Sequence, residues 1–224
     1  MKKFTILCLL LMCMFVAPIG AAAVPYDQNN TDKPQLAWFN PLYNGFTTYV
    51  YTDIDAKHIE VYRATSKDGK YTKINPAMQD VREREKLIEV GGLSTGKKYY
   101  FKIRAYKENS KGKRTYSKYT YFEYTPQLDY TNMNVNVTNF KKKQYKVSWW
   151  SVDGAHGYNL YRSKDGGSYK KVCSTKKLSY DVTTKHDYVY RIRAYRKVNG
   201  KCIYGGYSYA DATWRYQKNY NIVG

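Results

Sequence analysis

The sequence predicts an all-β protein of two tandem antiparallel sandwiches behind an export signal. Three observations lead there: alternation of apolar and polar residues, Gly-containing turns between the alternating segments, and one pattern of strands and turns written twice. Tyr145-Lys146-Val147-Ser148-Trp149 and Phe101-Lys102-Ile103-Arg104-Ala105 alternate with a period of two, which sets one row of side chains on a core and the other in solvent. Turn signals at short intervals leave room for about seven short strands in each ~90-residue unit, and two packed sheets bury such strands economically.

Taken in chain order, residues 1–23 read as a signal peptide. Met1-Lys2-Lys3 is a positive start, Phe4 to Val16 is almost continuously apolar, and Ala21-Ala22-Ala23 supplies the small residues before a cleavage site. Removing them takes the formal charge of +20 to +18 over 224 − 23 = 201 residues and leaves two cysteines, Cys173 and Cys202. Residues 24–34 form a flexible lead-in, 35–126 a first unit, 127–216 a second, and 217–224 a short polar tail. No apolar run beyond the leader is long enough to span a bilayer, so the mature chain is expected to lack a membrane span.

The repeat is found by self-comparison. Val61-Tyr62-Arg63-Ala64-Thr65-Ser66-Lys67-Asp68-Gly69 answers Leu160-Tyr161-Arg162-Ser163-Lys164-Asp165-Gly166, and Tyr99-Tyr100-Phe101-Lys102-Ile103-Arg104-Ala105-Tyr106 answers Tyr188-Val189-Tyr190-Arg191-Ile192-Arg193-Ala194-Tyr195. The offset falls from 161 − 62 = 99 to 192 − 103 = 89, so the first unit carries about ten extra residues within Asn75 to Glu85. That insert is expected to be a long loop in preference to a short helix, because ten residues make a marginal helix without packing. Asp68-Gly69, Asp165-Gly166, Ser110-Lys111-Gly112-Lys113 and Val198-Asn199-Gly200-Lys201 mark hairpins.

These segments resemble fibronectin type III domains, in tandem and of the kind found in secreted Gram-positive bacterial proteins. Leu93-Ser94-Thr95-Gly96-Lys97-Lys98-Tyr99 looks like that family's E–F corner, and Val182-Thr183-Thr184-Lys185-His186-Asp187-Tyr188 repeats it. The resemblance implies immunoglobulin-like sandwiches with Tyr99 and Tyr188 as corner tyrosines above Leu93 and Val182, and Trp149 as the buried tryptophan of strand B. It places Cys173 late in strand C′ and Cys202 early in strand G, at opposite edges of one sheet. An exported chain with two cysteines invites a disulfide, but three strand spacings are roughly 14 Å, and a bridge needs Cα atoms within about 7 Å.

Catalytic patterns are missing from the sequence: His58, His156 and His186 have no nucleophile partner nominated by spacing, and no hydrolase, metalloprotease or phosphate-loop motif occurs. Three His and four Cys, scattered, do not make a metal centre. The expectation is a non-enzymatic protein with no cofactor. Its charge is spread over both units, 17 basic against 10 acidic residues in 35–126 and 17 against 6 in 127–216, giving +7 and +11. Such a field, on an exported chain, fits an extracellular protein, a glycan or an anionic cell-wall polymer better than a nucleic acid.

Register then nominates a surface. With Phe101, Ile103 and Ala105 inward, Tyr100, Lys102, Arg104 and Tyr106 project outward beside Glu60 and Tyr62. The second unit repeats this with Arg191, Arg193 and Tyr195 beside Tyr161. The function expected is therefore a secreted adhesion, binding or scaffolding protein, either free or held noncovalently at the cell surface, with a carbohydrate-binding module that uses the exposed Tyr/Arg faces as the alternative.

Overall fold

The computed structural model describes residues 32–211 except 54, 55, 140–143, 165, 185 and 187. The leader 1–23, nearly all of 24–34 and the tail 217–224 lie outside the described residues.

Among the described residues seventeen strands form four antiparallel sheets. In the first unit β1 (Gln35–Leu42), β2 (Gly45–Tyr51), β6 (Glu85–Val90) and β5 (Ala77–Arg82) lie side by side in that order. The facing sheet runs β4 (Thr72–Ile74), β3 (His58–Ala64), β7 (Tyr99–Glu108), with β8 (Arg114–Tyr116) and β9 (Thr120–Tyr124) sharing the far edge of β7. The second unit repeats the plan. One sheet is β10 (Met133–Asn139), β11 (Gln144–Trp149) and β14 (Ser179–Thr183). The other runs β13 (Lys170–Thr175), β12 (Gly157–Lys164), β15 (Tyr188–Val198), with β16 (Lys201–Tyr204) and β17 (Ser208–Asp211) on its far edge.

Each unit has its own core, built from the inward row of both sheets. Leu36, Phe46, Val50, Ile88 and Val90 meet Val61, Phe101, Ile103 and Tyr124 in the first. Tyr145, Val147, Trp149 and Val182 meet Tyr158, Leu160, Tyr190, Ile192 and Ala194 in the second. Phe46 sits edge-on to Phe101, with ring centroids 5.3 Å apart. Burying each such side chain is worth about 1.5–3 kcal/mol, which is why the two-residue period decides the fold. Along β7 burial alternates without a break from Tyr99 to Tyr106.

The insert is where expectation and structure part. Ala77–Arg82 is neither loop nor helix but strand β5, which pairs with β6 from Ala77↔Glu89 to Arg82↔Glu85 and adds an outer edge to the sheet. All six of its residues are exposed. Its residues face water on both sides, so no apolar stripe betrays it; pairing with β6 satisfies its backbone instead. The salt bridges Lys86–Asp80 and Arg82–Glu85 across that hairpin place charge on the edge, a common guard against further strand addition.

The turns obey their residues. Asn199 and Gly200 both adopt positive φ, 48° and 78°, between β15 and β16, as a two-residue type I′ hairpin requires. Cys173 on β13 and Cys202 on β16 are free thiols at opposite edges of one four-strand path.

The units touch through a small joint. Tyr43, in the β1–β2 turn, packs against the second core with its ring on Gly154, where a Cβ would collide with it. The Arg196 guanidinium lies 4.9 Å from the Tyr43 ring centre and donates to the Gly154 carbonyl at 2.8 Å. Gly96 of the first unit lies against Ile203 of the second, whose side chain a Cβ at Gly96 would meet.

Candidate functional site: stacked tyrosines and cations on two sheet faces

The outward rows of β7 and β15 are not loose surface. They build a ladder in which cations are layered between tyrosine rings. On β7, Lys102 Nζ stands 4.7, 5.0 and 5.3 Å from the ring centres of Tyr119, Tyr71 and Tyr62. The Arg104 guanidinium lies 3.7 Å from Tyr116 and 5.0 Å from Tyr119. On β15 the Arg191 guanidinium is 4.1 Å from both Tyr169 and Tyr207, and 5.3 Å from Tyr161. Arg193 is 3.7 Å from Tyr204 and 4.7 Å from Tyr207.

The rings come from three places. Tyr62 and Tyr161 are on β3 and β12, directly across from Lys102 and Arg191. Tyr71 and Tyr169 precede the short strands β4 and β13. The last pair sits where the edge strand breaks, Tyr119 between β8 and β9 and Tyr207 between β16 and β17. In the first break Ser117 holds the chain to β7, its N–H donating to Ala105 O at 2.9 Å and its Oγ accepting from Ala105 N–H at 3.0 Å. Cation–π contacts of this kind are worth about 0.5–2 kcal/mol each, most where water is excluded.

The two ladders differ in one buried residue. In the first, Glu60 on β3 lies under Arg104, only 4% exposed. Its carboxylate accepts from Lys73 Nζ at 2.9 Å, Tyr62 Oη at 2.8 Å and Arg104 Nε at 2.8 Å, and Arg104 Nη2 is 2.7 Å away. Burial by itself pushes that carboxyl up, but the hydrogen bonds from Lys73, Tyr62 and Arg104 together overcome it and pull it from 4.5 to about 2. The matching position of the second ladder, opposite Arg193, is Asn159. Its Oδ1 accepts from Ser174 Oγ at 2.7 Å. Among the described residues, Arg191 Nε and Arg193 Nε are buried without a hydrogen-bond partner.

Of the other residues nominated from sequence, Tyr106 stacks on His58 with centroids 4.8 Å apart and lies under Arg114, at the end of the first ladder. Tyr100 is half-buried on the same row. Tyr195 covers Gly157, whose position leaves no room for a side chain beneath the tyrosine hydroxyl. Leu93 and Tyr99 lie in the first core, and Tyr99 Oη accepts from Ser94 N–H at 3.0 Å, the corner bond. Trp149 and Val182 are buried in the second core. Tyr188 is half-buried with Arg162 4.4 Å above its ring, and Lys185 and Asp187 beside it are outside the described residues.

Sequence reasoning passed over Tyr71, Tyr116, Tyr119, Tyr169, Tyr204 and Tyr207. One signal was available: Tyr116, Tyr119 and Tyr121 recur with the same spacing as Tyr204, Tyr207 and Tyr209. No group of three or more His, Cys, Asp and Glu able to hold a metal occurs among the described residues. No helix among them is long and apolar enough to cross a membrane.

No protein-family model matches the chain, and no curated protein matches it. Among solved structures it is similar to a segment of two fibronectin type III domains from chicken tenascin. That likeness has 14% identity and a TM-score of 0.36, covering 80% of this chain and 97% of that one. The sheet orders and the two separate cores are those of two antiparallel β-sandwiches in tandem, the first with a corner hydrogen bond at Tyr99.

Proposed function

We propose that the chain is an exported, non-enzymatic binding or scaffolding protein. Its units, 35–126 and 127–216, present their Tyr/Arg faces to an anionic extracellular partner. The observation that carries this reading is the second ladder. Arg191 and Arg193 are held rigidly between tyrosines, and among the described residues every ion pair of the chain involves residues of the first half, the last being Lys98–Glu123. Pre-ordered guanidiniums lose little side-chain entropy on meeting an anion. The +11 charge of the second unit would raise the rate of encounter. Guanidiniums already cover the ring faces of the ladder, which favours charge recognition over stacking of neutral sugars on those rings.

Immobilised protein incubated with cell-wall polymers and extracellular extracts provides the test. A specific partner is expected at low salt and lost at roughly 1 M, where screening is nearly complete, and R191Q/R193Q is expected to lose it at low salt too. Capture that survives both high salt and the double substitution would contradict the reading.

A further inference from the structure

The internal repeat supplies its own control. The same strand register, the same ring positions and the same cation rows occur twice, and the first copy shows what a complete site contains: a carboxylate, Glu60, gathered by Arg104, Lys73 and Tyr62. In the second copy Asn159 replaces that carboxylate while Arg193 and Tyr161 remain, Arg193 Nη2 standing 3.4 Å from the Tyr161 hydroxyl. Where the first copy has Lys102 the second has Arg191, which keeps the single charge but presents it as a planar fork of donors, and the acid is absent. Lys170 and Lys171 on β13, paired with Arg162 and Tyr161, add charge along the same edge. The Nε atoms of the two arginines are buried and, among the described residues, have no acceptor, so neither guanidinium has the internal carboxylate that Arg104 has in Glu60.

Resting on the binding role proposed above, we infer that the Arg191/Arg193 face is a carboxylate-binding site that receives an extended acidic segment of a protein, with acidic residues at alternate positions. Two arguments select this occupant. Arg191 and Arg193 are two residues apart on a straight strand, roughly 6.8 Å along it, and side chains at alternate positions of an extended peptide have the same repeat. The precedent within the molecule is also a glutamate on an extended strand, and a planar carboxylate matches the guanidinium fork in a way that a point anion does not. The first unit is not such a site, because Glu60 fills it.

A fluorescent heptapeptide of alternating Thr and Glu, titrated into the full-length exported chain and followed by anisotropy, reads the site. Binding of one peptide per chain is expected, with its all-Gln counterpart at least about tenfold weaker, since a charge-assisted hydrogen bond outweighs a neutral one by that order. Asn159→Glu builds in the missing carboxylate and is expected to weaken binding about tenfold, as is R191Q/R193Q. K176Q/K177Q, which removes two charges from the turn before β14, should leave binding unchanged. Near-UV circular dichroism confirms that each variant is folded. Equal binding by wild type and N159E overturns the site, and a glucuronate oligosaccharide bound in place of the peptide overturns the choice of occupant. A partner captured in the salt-dependent pull-down and lost in R191Q/R193Q, with no peptide bound, would leave the binding role standing and remove the carboxylate assignment alone.

Discussion

Glu60 governs the chemistry of the first face. A carboxyl that titrates at about 2 in place of 4.5 contributes about 3 kcal/mol at neutral pH. Because its folded value is depressed, that contribution is complete above about pH 4.5 and disappears as the pH falls through about 2. E60Q is therefore expected to destabilise the chain by about 3 kcal/mol at pH 7. The gap to wild type should close between about pH 4.5 and 2 in urea titrations at a series of pH values; a gap independent of pH would mean that packing, not charge, is what Glu60 supplies. Sequence register correctly set Glu60 beside Arg104, but its difference from Asn159 became meaningful only once Arg191 Nε and Arg193 Nε were seen to lack acceptors.

At the level of elements, strands with one wet and one dry face were legible because alternation is written in their residues, as in β7 and β11. β5 was not legible, because both of its faces are wet and it is held by backbone pairing with β6 and by exposed ion pairs, not by a buried apolar row. The tyrosines at the breaks in the edge strands were likewise hidden: a two-residue period gives no warning that Tyr119 or Tyr207 turns back over the face. The contrast between these elements has an energetic consequence. Gln79→Pro removes the backbone donor from a residue paired with Leu87 on exposed β5 and is expected to cost about 1 kcal/mol. Ile103→Ala in the core row of β7 should cost about 2–5 kcal/mol. Denaturant unfolding followed by tryptophan fluorescence compares the two; similar losses would show that β5 stabilises the sheet far more than its exposure implies.

Over the whole molecule, two sandwiches of one plan carry different surfaces. The first neutralises its cations internally, through Glu60, Glu108 and Glu123. The second leaves the corresponding cations between rings and facing outward. The joint at Tyr43, Gly154 and Arg196 sets one ring and one guanidinium between the units. The repeat, the hairpins and the outward cations were all readable from 224 letters; the asymmetry between the faces was not, because it depends on which polar atoms find a partner. The most direct test follows the arginine Nε–H resonances of the whole chain during titration with the alternating Thr/Glu peptide. Arg191 and Arg193 should shift saturably while Arg104, held by Glu60, stays in place. Equal shifts at all three, or none at Arg191 and Arg193, would contradict the account.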